Sequence, residues 1–320
     1  MIDFLIFILA IFLLWLGAES VTKAAIKIAK TLSLSESFIG LTIVAIGTSF
    51  PEIVISITGA VQNLRGEETS QIVLGNVIGS GMANLALILG ILGIFKVIKL
   101  KKNELLLDML MLVLSTTILY LVSLDGLITI QDGVLLILFY LIYLLFLNRQ
   151  NLRKQTILFK KKQFKKKKLK KIKLAHLVQL ALGLIILTKA SQMVLDSGVI
   201  LAEKLNINEM LVGILLVGLG SSLPELMVSL NAALKGSMAL SLNNLIGSNI
   251  LNVFLALGVS STITTWEVDR QVVQFDIPYL LFTSIVAVLF LLSKNKFERN
   301  ESLLMMALYT IFIVLKISGF

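Results

Sequence analysis

Ten stretches of mainly apolar residues, each near the length of a bilayer crossing, divide this chain of 320 residues: roughly 4–29, 38–62, 71–94, 104–124, 132–147, 174–201, 209–234, 237–260, 271–293 and 302–319. A bilayer core takes about 20 residues of helix. A backbone in hydrocarbon must satisfy its own polar groups, so helices are the expected outcome. The sequence therefore predicts an all-α polytopic membrane protein with ten transmembrane helices, the fifth of them short. Composition agrees: 57% hydrophobic and 15% charged residues exclude a water-soluble enzyme, and no enzymatic activity is expected. Zero cysteines and one histidine remove thiolate nucleophiles, zinc clusters and Ser-His-Asp hydrolysis. No resident cofactor is expected, and any ion must be met by oxygen. The lone His176 stands beside a lysine run and is given no role.

The net charge of +10 is a local feature. Thirteen of the 29 basic residues lie between Arg149 and Lys173, a stretch without an acid, and leaving them out takes the balance to −3. Such a loop between apolar spans reads as a cytoplasmic positive-inside signal resting on anionic headgroups, so the bilayer is a partner and nucleic acid is not. With that loop inside, five spans on either side place both termini outside. The other loops agree: 24 basic residues fall inside and only Arg65, Lys204, Arg270 and Lys316 outside, with Lys189 within a span. The first stretch has Asp3 and no basic residue ahead of it, against the pattern of a signal peptide, and is read as a retained span.

An internal repeat organises the spans. FIGLTIVAIGTSFPEIVIS at 38–56 matches LVGILLVGLGSSLPELMVS at 211–229, an offset of 173, and GNVIGSGMANLALILG from Gly75 matches NNLIGSNILNVFLALG from Asn243 at an offset of 168. Five spans per copy is an odd number, so the copies must be inverted relative to one another, an arrangement common among secondary transporters. The expected organisation is a five-helix repeat over 1–147, a basic linker over 148–173 and a second five-helix repeat over 174–320.

Two of the three prolines, Pro51 and Pro224, hold equivalent places in the repeat, beside Gly47 with Thr48 and Gly220 with Ser221. Proline lacks an N–H and crowds the carbonyl four residues back, so the carbonyls of Gly47 and Gly220 are freed at membrane depth, where a cation can meet them. A plain helix kink is the alternative. A carboxylate follows each proline, Glu52 and Glu225, and an acid inside a membrane faces a pathway or a partner. No basic residue stands at matching depth in these segments; Lys189 is the alternative partner. Ser80 with Asn84, and Ser248 with Asn252, are each four apart and so share a helix face with further neutral oxygens. Asn76, Asn244 and Asn249 read as interhelical glue, with the nearby glycines permitting close packing. An all-oxygen cage of this kind suits Ca2+, which takes about six to eight ligands, or Na+, better than a soft transition metal or Mg2+.

These residues resemble a known family. GTSFPE with GNVIGSGMAN, and GSSLPE with NNLIGSNILN, are similar to the two α-repeats of the sodium/calcium exchangers in the cation/calcium exchanger superfamily, prokaryotic type, and the likeness covers essentially the whole chain. The resemblance implies that Glu52 and Glu225 are central Ca2+ ligands shared with Na+. Thr48, Ser49, Ser221, Ser222, Ser80, Ser248, Asn84 and Asn252 would assist them, and the backbone oxygens of Ala45 and Gly218 match positions that bind outer sodium ions. Where close prokaryotic and potassium-dependent relatives often carry Asp, this chain has Asn252, which leaves two formal charges in the site and weakens the case for potassium. The proton-coupled relatives usually place an acid in the GN-type motif, and none stands there here. The loop from 148 to 173 is too short for the calcium-sensing domains of the animal proteins.

The expected activity is antiport of Na+ for Ca2+ across the cell membrane by alternating access, exporting Ca2+ from the cell, in a monomer whose first and sixth helices slide against the rest. A proton-coupled Ca2+ exchanger is the nearer rival, and a passive cation channel the more distant one.

Overall fold

Residues 2–32, 34–95, 98–99, 102–161, 174–204, 220–293 and 296–318 are described by the computed structural model of the chain. Helices account for nearly all of them. In chain order they are α1 (Ile2–Leu32), α2 (Glu36–Thr48), α3 (Phe50–Asn63), α4 (Ser70–Phe95), α5 (Lys102–Val122), α6 (Ile130–Lys161), α7 (Leu174–Lys204), α8 (Leu223–Leu234), α9 (Met238–Ser261), α10 (Val272–Leu292) and α11 (Arg299–Ile317). Among the described residues eight helices are long and apolar enough to cross a membrane, nine if the pair α2 and α3 is one span bent by 49°. The chain is thus a multi-pass membrane protein. Nine of the ten expected spans correspond to these. The remaining one, 209–234, lies partly outside the described residues, and α8 is its described apolar helix.

Two details depart from the sequence reading. Pro51 and Pro224 were expected inside helices; each instead sits in the first turn of a new one, α3 and α8, where its missing N–H has no partner to lose. The preceding residues share one irregular conformation, Ser49 at φ −84°, ψ 13° and Ser222 at φ −88°, ψ 1°. The residue ahead of the new helix therefore has the same backbone conformation in both halves. The short fifth span also runs on as helix to Lys161, well into the expected linker. Leu, Gln, Arg and Lys after residue 147 are good helix formers with no Gly or Pro to stop them, so loss of apolarity ends the span but not the helix.

Four two-residue strands tie the loops: β1 (Ile98–Lys99), β2 (Leu127–Ile128), β3 (Trp266–Glu267) and β4 (Lys296–Phe297). They pair antiparallel as β1 with β4 and β2 with β3. Ile98 and Trp266 are separated by the same 168 residues as the second pair of repeated motifs. Each ribbon thus joins a strand of one half to a strand of the other.

The apolar core falls into two clusters. The larger joins α4, α5, α6, α9, α10 and α11, with Phe254, Trp266 and Phe297 fully buried. The smaller is built on α1 and α7, where Ala10, Ala18, Ala24, Ala25, Ala29 and Ala190 pack with Leu14, Val21, Ile28, Leu180, Leu187 and Val194, and touches α2 and α8. Phe4, Phe12 and Trp15 on the outer side of α1 are about half exposed, as a lipid-facing surface requires.

Helices α1 and α7 cross closely at Gly17 and Gly183. A Cβ at Gly183 would stand 3.1 Å from the backbone nitrogen of Val21, and one at Gly17 would stand 3.1 Å from the carbonyl oxygen of Gly183. Small residues at such crossings let two backbones meet where no hydrophobic force draws helices together. Gly183→Val forces the backbones apart at a cost of about 1–3 kcal/mol. Thermal unfolding in detergent is expected to shift down by a few degrees; an unchanged midpoint would show the crossing to be slack.

Candidate ion-binding site

Breaking a helix at Ser49 and again at Ser222 exposes the first turn of α3 and of α8, and each of those turns carries a glutamate. Helix N-termini have unpaired N–H groups and a positive dipole end, which favours a carboxylate there. Helix α3 packs on the Asn252–Leu257 segment of α9, and α8 packs on the Ala83–Ile88 segment of α4. Both of these segments are wide π-helical turns, beginning at or beside the motif asparagines Asn252 and Asn84. Wide turns of this kind often mark functional sites, and the pattern of apolar residues gives no sign of them.

Glu52 and Glu225 are both fully buried, and each lies within electrostatic reach of the other. The Oε1 of Glu225 accepts hydrogen bonds from Ser49 Oγ at 2.7 Å and Ser248 Oγ at 3.2 Å, while its Oε2 has no partner. Both carboxylate oxygens of Glu52 are unpartnered, although Ser221 stands beside it without closing a well-formed hydrogen bond. The other buried acids in the spans are treated differently. Asp276 holds the ammonium of Lys316 at 2.9 Å, and Asp108 accepts from the Tyr143 hydroxyl at 3.1 Å. Among the described residues no basic side chain pairs with either glutamate; Lys189 is exposed on α7 and makes no ion pair with them.

The neutral candidates gather at the same place. Asn252 Nδ2 donates to Ser80 Oγ at 3.0 Å, which donates on to the Val77 carbonyl at 3.2 Å; this leaves Asn252 Oδ1 buried and unpartnered. Asn84 is buried with neither end of its amide bonded, and the Ser222 hydroxyl is likewise buried and free. Thr48 is buried and donates to Asn244 Oδ1 at 3.2 Å. The Ala45 carbonyl accepts the Ser49 N–H at 2.9 Å and the Thr48 hydroxyl at 3.4 Å. Gly218 lies outside the described residues. One expectation is corrected: the carbonyl of Gly220, freed by Pro224, is taken by the Ser191 hydroxyl of α7 at 2.7 Å. Asn244, read from sequence as interhelical glue, does bond across helices, and one of its partners, Thr48, is a candidate site residue; that pairing follows from the fold and has no local signal.

Unpartnered buried oxygens are costly, and they are rare in folded proteins unless something absent satisfies them. Here six oxygens from four helices, Glu52 Oε1 and Oε2, Glu225 Oε2, Asn84 Oδ1, Asn252 Oδ1 and Ser222 Oγ, lack partners among the described residues. Such a set can hold a desolvated cation.

Residues 2–148 and 175–318 match the sequence profile of a family described as sodium/calcium exchanger protein. The sodium/calcium exchanger MaX1 of Methanosarcina acetivorans is 30% identical, covering 98% of this chain and 98% of its own. The uncharacterised membrane protein MJ0091 of Methanocaldococcus jannaschii is 33% identical over 96% of this chain and 95% of its own. Solved structures of the sodium-calcium exchanger NCX_Mj superpose with a TM-score of 0.82 at 30% identity, covering 98% of both chains.

Ca2+ added to the purified protein is expected to raise its melting temperature, by the equivalent of about 2.7 kcal/mol at a hundredfold excess over Kd. Glu52→Gln is expected to lose that rise and to melt higher than wild type in ion-free buffer, because one of two repelling charges is gone. Calcium stabilisation that survives the substitution would take Glu52 out of the site.

Proposed function

The chain belongs to the sodium/calcium exchanger protein family, and from that premise we propose that it exchanges Na+ for Ca2+ across the cell membrane by alternating access, the sodium gradient driving Ca2+ outward. On this reading 1–147 and 174–320 form two inverted five-helix repeats, ten spans in all, and the basic segment 148–173 lies on the cytoplasmic side with both termini outside. The distribution of Lys and Arg supports the orientation. The matching backbone conformations of Ser49 and Ser222 and the reciprocal strand pairing support the inverted repeat.

Glu52 and Glu225 are the Ca2+ ligands in this proposal, assisted by Asn84, Asn252, Thr48, Ser49, Ser221, Ser222, Ser80 and Ser248, while the backbone oxygens of Ala45 and Gly218 serve sodium. The observation that carries the reading is Glu52, fully buried near a second buried carboxylate, with both oxygens unpartnered and no base paired to it among the described residues. Two carboxylates about 4 Å apart repel by roughly 4 kcal/mol at an effective dielectric near 20. An empty site is therefore reluctant to close, and only Ca2+ or several Na+ relieve it, so the protein swaps ions instead of leaking them. Asn252 keeps the site at two charges. The Ala-rich cluster holding α1 to α7 suits these two helices to sliding as a unit against the rest, within a single monomer.

The test is ion uptake. Proteoliposomes loaded with Na+ and diluted into Na+-free medium with tracer Ca2+ are expected to accumulate Ca2+, and Glu52→Gln or Glu225→Gln to abolish the uptake. Uptake that follows a pH gradient and ignores sodium would make the protein a proton-coupled exchanger instead; uptake needing no counter-ion would make it a channel.

A further inference from the structure

Thr48 ends α2, and its hydroxyl has one proton with three acceptors in reach: the Ala45 carbonyl at 3.4 Å, Asn244 Oδ1 at 3.2 Å and the carboxylate of Glu225. Where that proton goes decides what Thr48 offers a cation. Turned toward Glu225, the hydroxyl competes with the ion for the carboxylate. Turned toward Asn244, it leaves its lone pairs to the ion.

The direction is set from within the α8–α9 hairpin. Ser241 Oγ donates to the Ser229 carbonyl at 2.7 Å, and Ser229 Oγ donates to the Ser241 carbonyl at 3.2 Å. A carbonyl can only accept, so the single proton of Ser229 is committed, and toward Asn244 its oxygen must accept. The amide nitrogen of Asn244 accordingly faces Ser229, donating at 3.1 Å, and the amide oxygen faces Thr48. That oxygen is buried and accepts only, so leaving it without the Thr48 proton costs a hydrogen bond. One proton order runs from Thr48 through Asn244 and Ser229 to the backbone, and all four side chains are buried.

The other half does not repeat it. The equivalent residues are Asn76 and Ser56, and among the described residues neither Asn76 Nδ2 nor Ser56 Oγ has a hydrogen-bond partner; the place of Ser241 is held by Val73, which has no hydroxyl. Ser221, the counterpart of Thr48, is partly exposed beside Glu52.

We propose that Asn244 is a positioning residue which, through the Ser229 and Ser241 hydrogen bonds, holds the Thr48 hydroxyl as an oxygen-only ligand, so that the two halves of the ion site are chemically unequal. This rests on the exchanger reading only in taking Thr48 as a ligand for Ca2+.

The experiment is a double-mutant cycle read by equilibrium binding of Ca2+ to the purified full-length protein. Ser229→Ala touches no site atom yet releases the amide of Asn244. It is expected to raise the Kd for Ca2+ about three- to tenfold, the worth of one oriented hydrogen bond. Asn244→Leu should act in the same direction, and Ser229→Thr, which keeps the hydroxyl, should restore the affinity. In a Thr48→Val background, Ser229→Ala should have no further effect. An unchanged Kd in Ser229→Ala, or a loss of affinity that persists undiminished in the Thr48→Val background, overturns the proposal. Wild-type protein that binds Ca2+ but ignores a sodium gradient in vesicles refutes sodium coupling and leaves the cycle readable. Wild type that binds no Ca2+ refutes both.

Discussion

Two fully buried carboxylates within electrostatic reach of one another, with no base paired to either among the described residues, are the constraint on which the rest of this structure depends. Charge in a low-dielectric interior must be paired, protonated or solvated. Elsewhere the chain follows that rule with its own side chains, giving Lys316 to Asp276 and a tyrosine hydroxyl to Asp108. At Glu52 the described residues supply no base, and Ser221 stands beside it without closing a well-formed hydrogen bond. Partners for Glu225 come as neutral hydroxyls from helices of both halves, enough to orient one oxygen and not enough to neutralise the group.

The surrounding architecture delivers those two acids to one place. Each is carried in the first turn of a helix that restarts after a break, so each has a positive helix end behind it. Across from each acid lies a π-helical turn of the opposite half, with an asparagine at its start. The reciprocity means that neither half can build the site alone. Loops from the two halves are pinned together by the short ribbons, while α1 and α7 keep a separate apolar core.

Much of this is written in the residues. Apolar lengths and the Lys/Arg distribution give the spans, and the offset of 173 between Pro51-Glu52 and Pro224-Glu225 gives the pairing of the halves. Glutamates without bases at equal depth single out the candidate site in the sequence, and Thr48, Ser49, Ser80, Ser248, Asn84 and Asn252 are buried in the fold. Other features were not legible, for identifiable reasons. A π turn and an α turn satisfy the same apolar periodicity, so nothing at Asn84 or Asn252 announces the wider one. The capture of the Gly220 carbonyl by Ser191 depends on the packing of α7, which no local pattern encodes. The part played by Asn244 depends on proton directions across two helices, and these exist only once the hairpin is folded. Apolarity also predicts that the fifth span ends near residue 147, but has no bearing on where the hydrogen bonds of α6 stop.

The central claim is that a cation belongs between Glu52 and Glu225, and it is tested most directly by anomalous diffraction from crystals of this protein soaked in Sr2+, a heavier stand-in for Ca2+. The account predicts one strong peak within coordination distance of both carboxylates, with Asn84 or Asn252 contributing an oxygen. Carboxylates that stand apart with no peak between them, or a peak confined to some other part of the molecule, would contradict it.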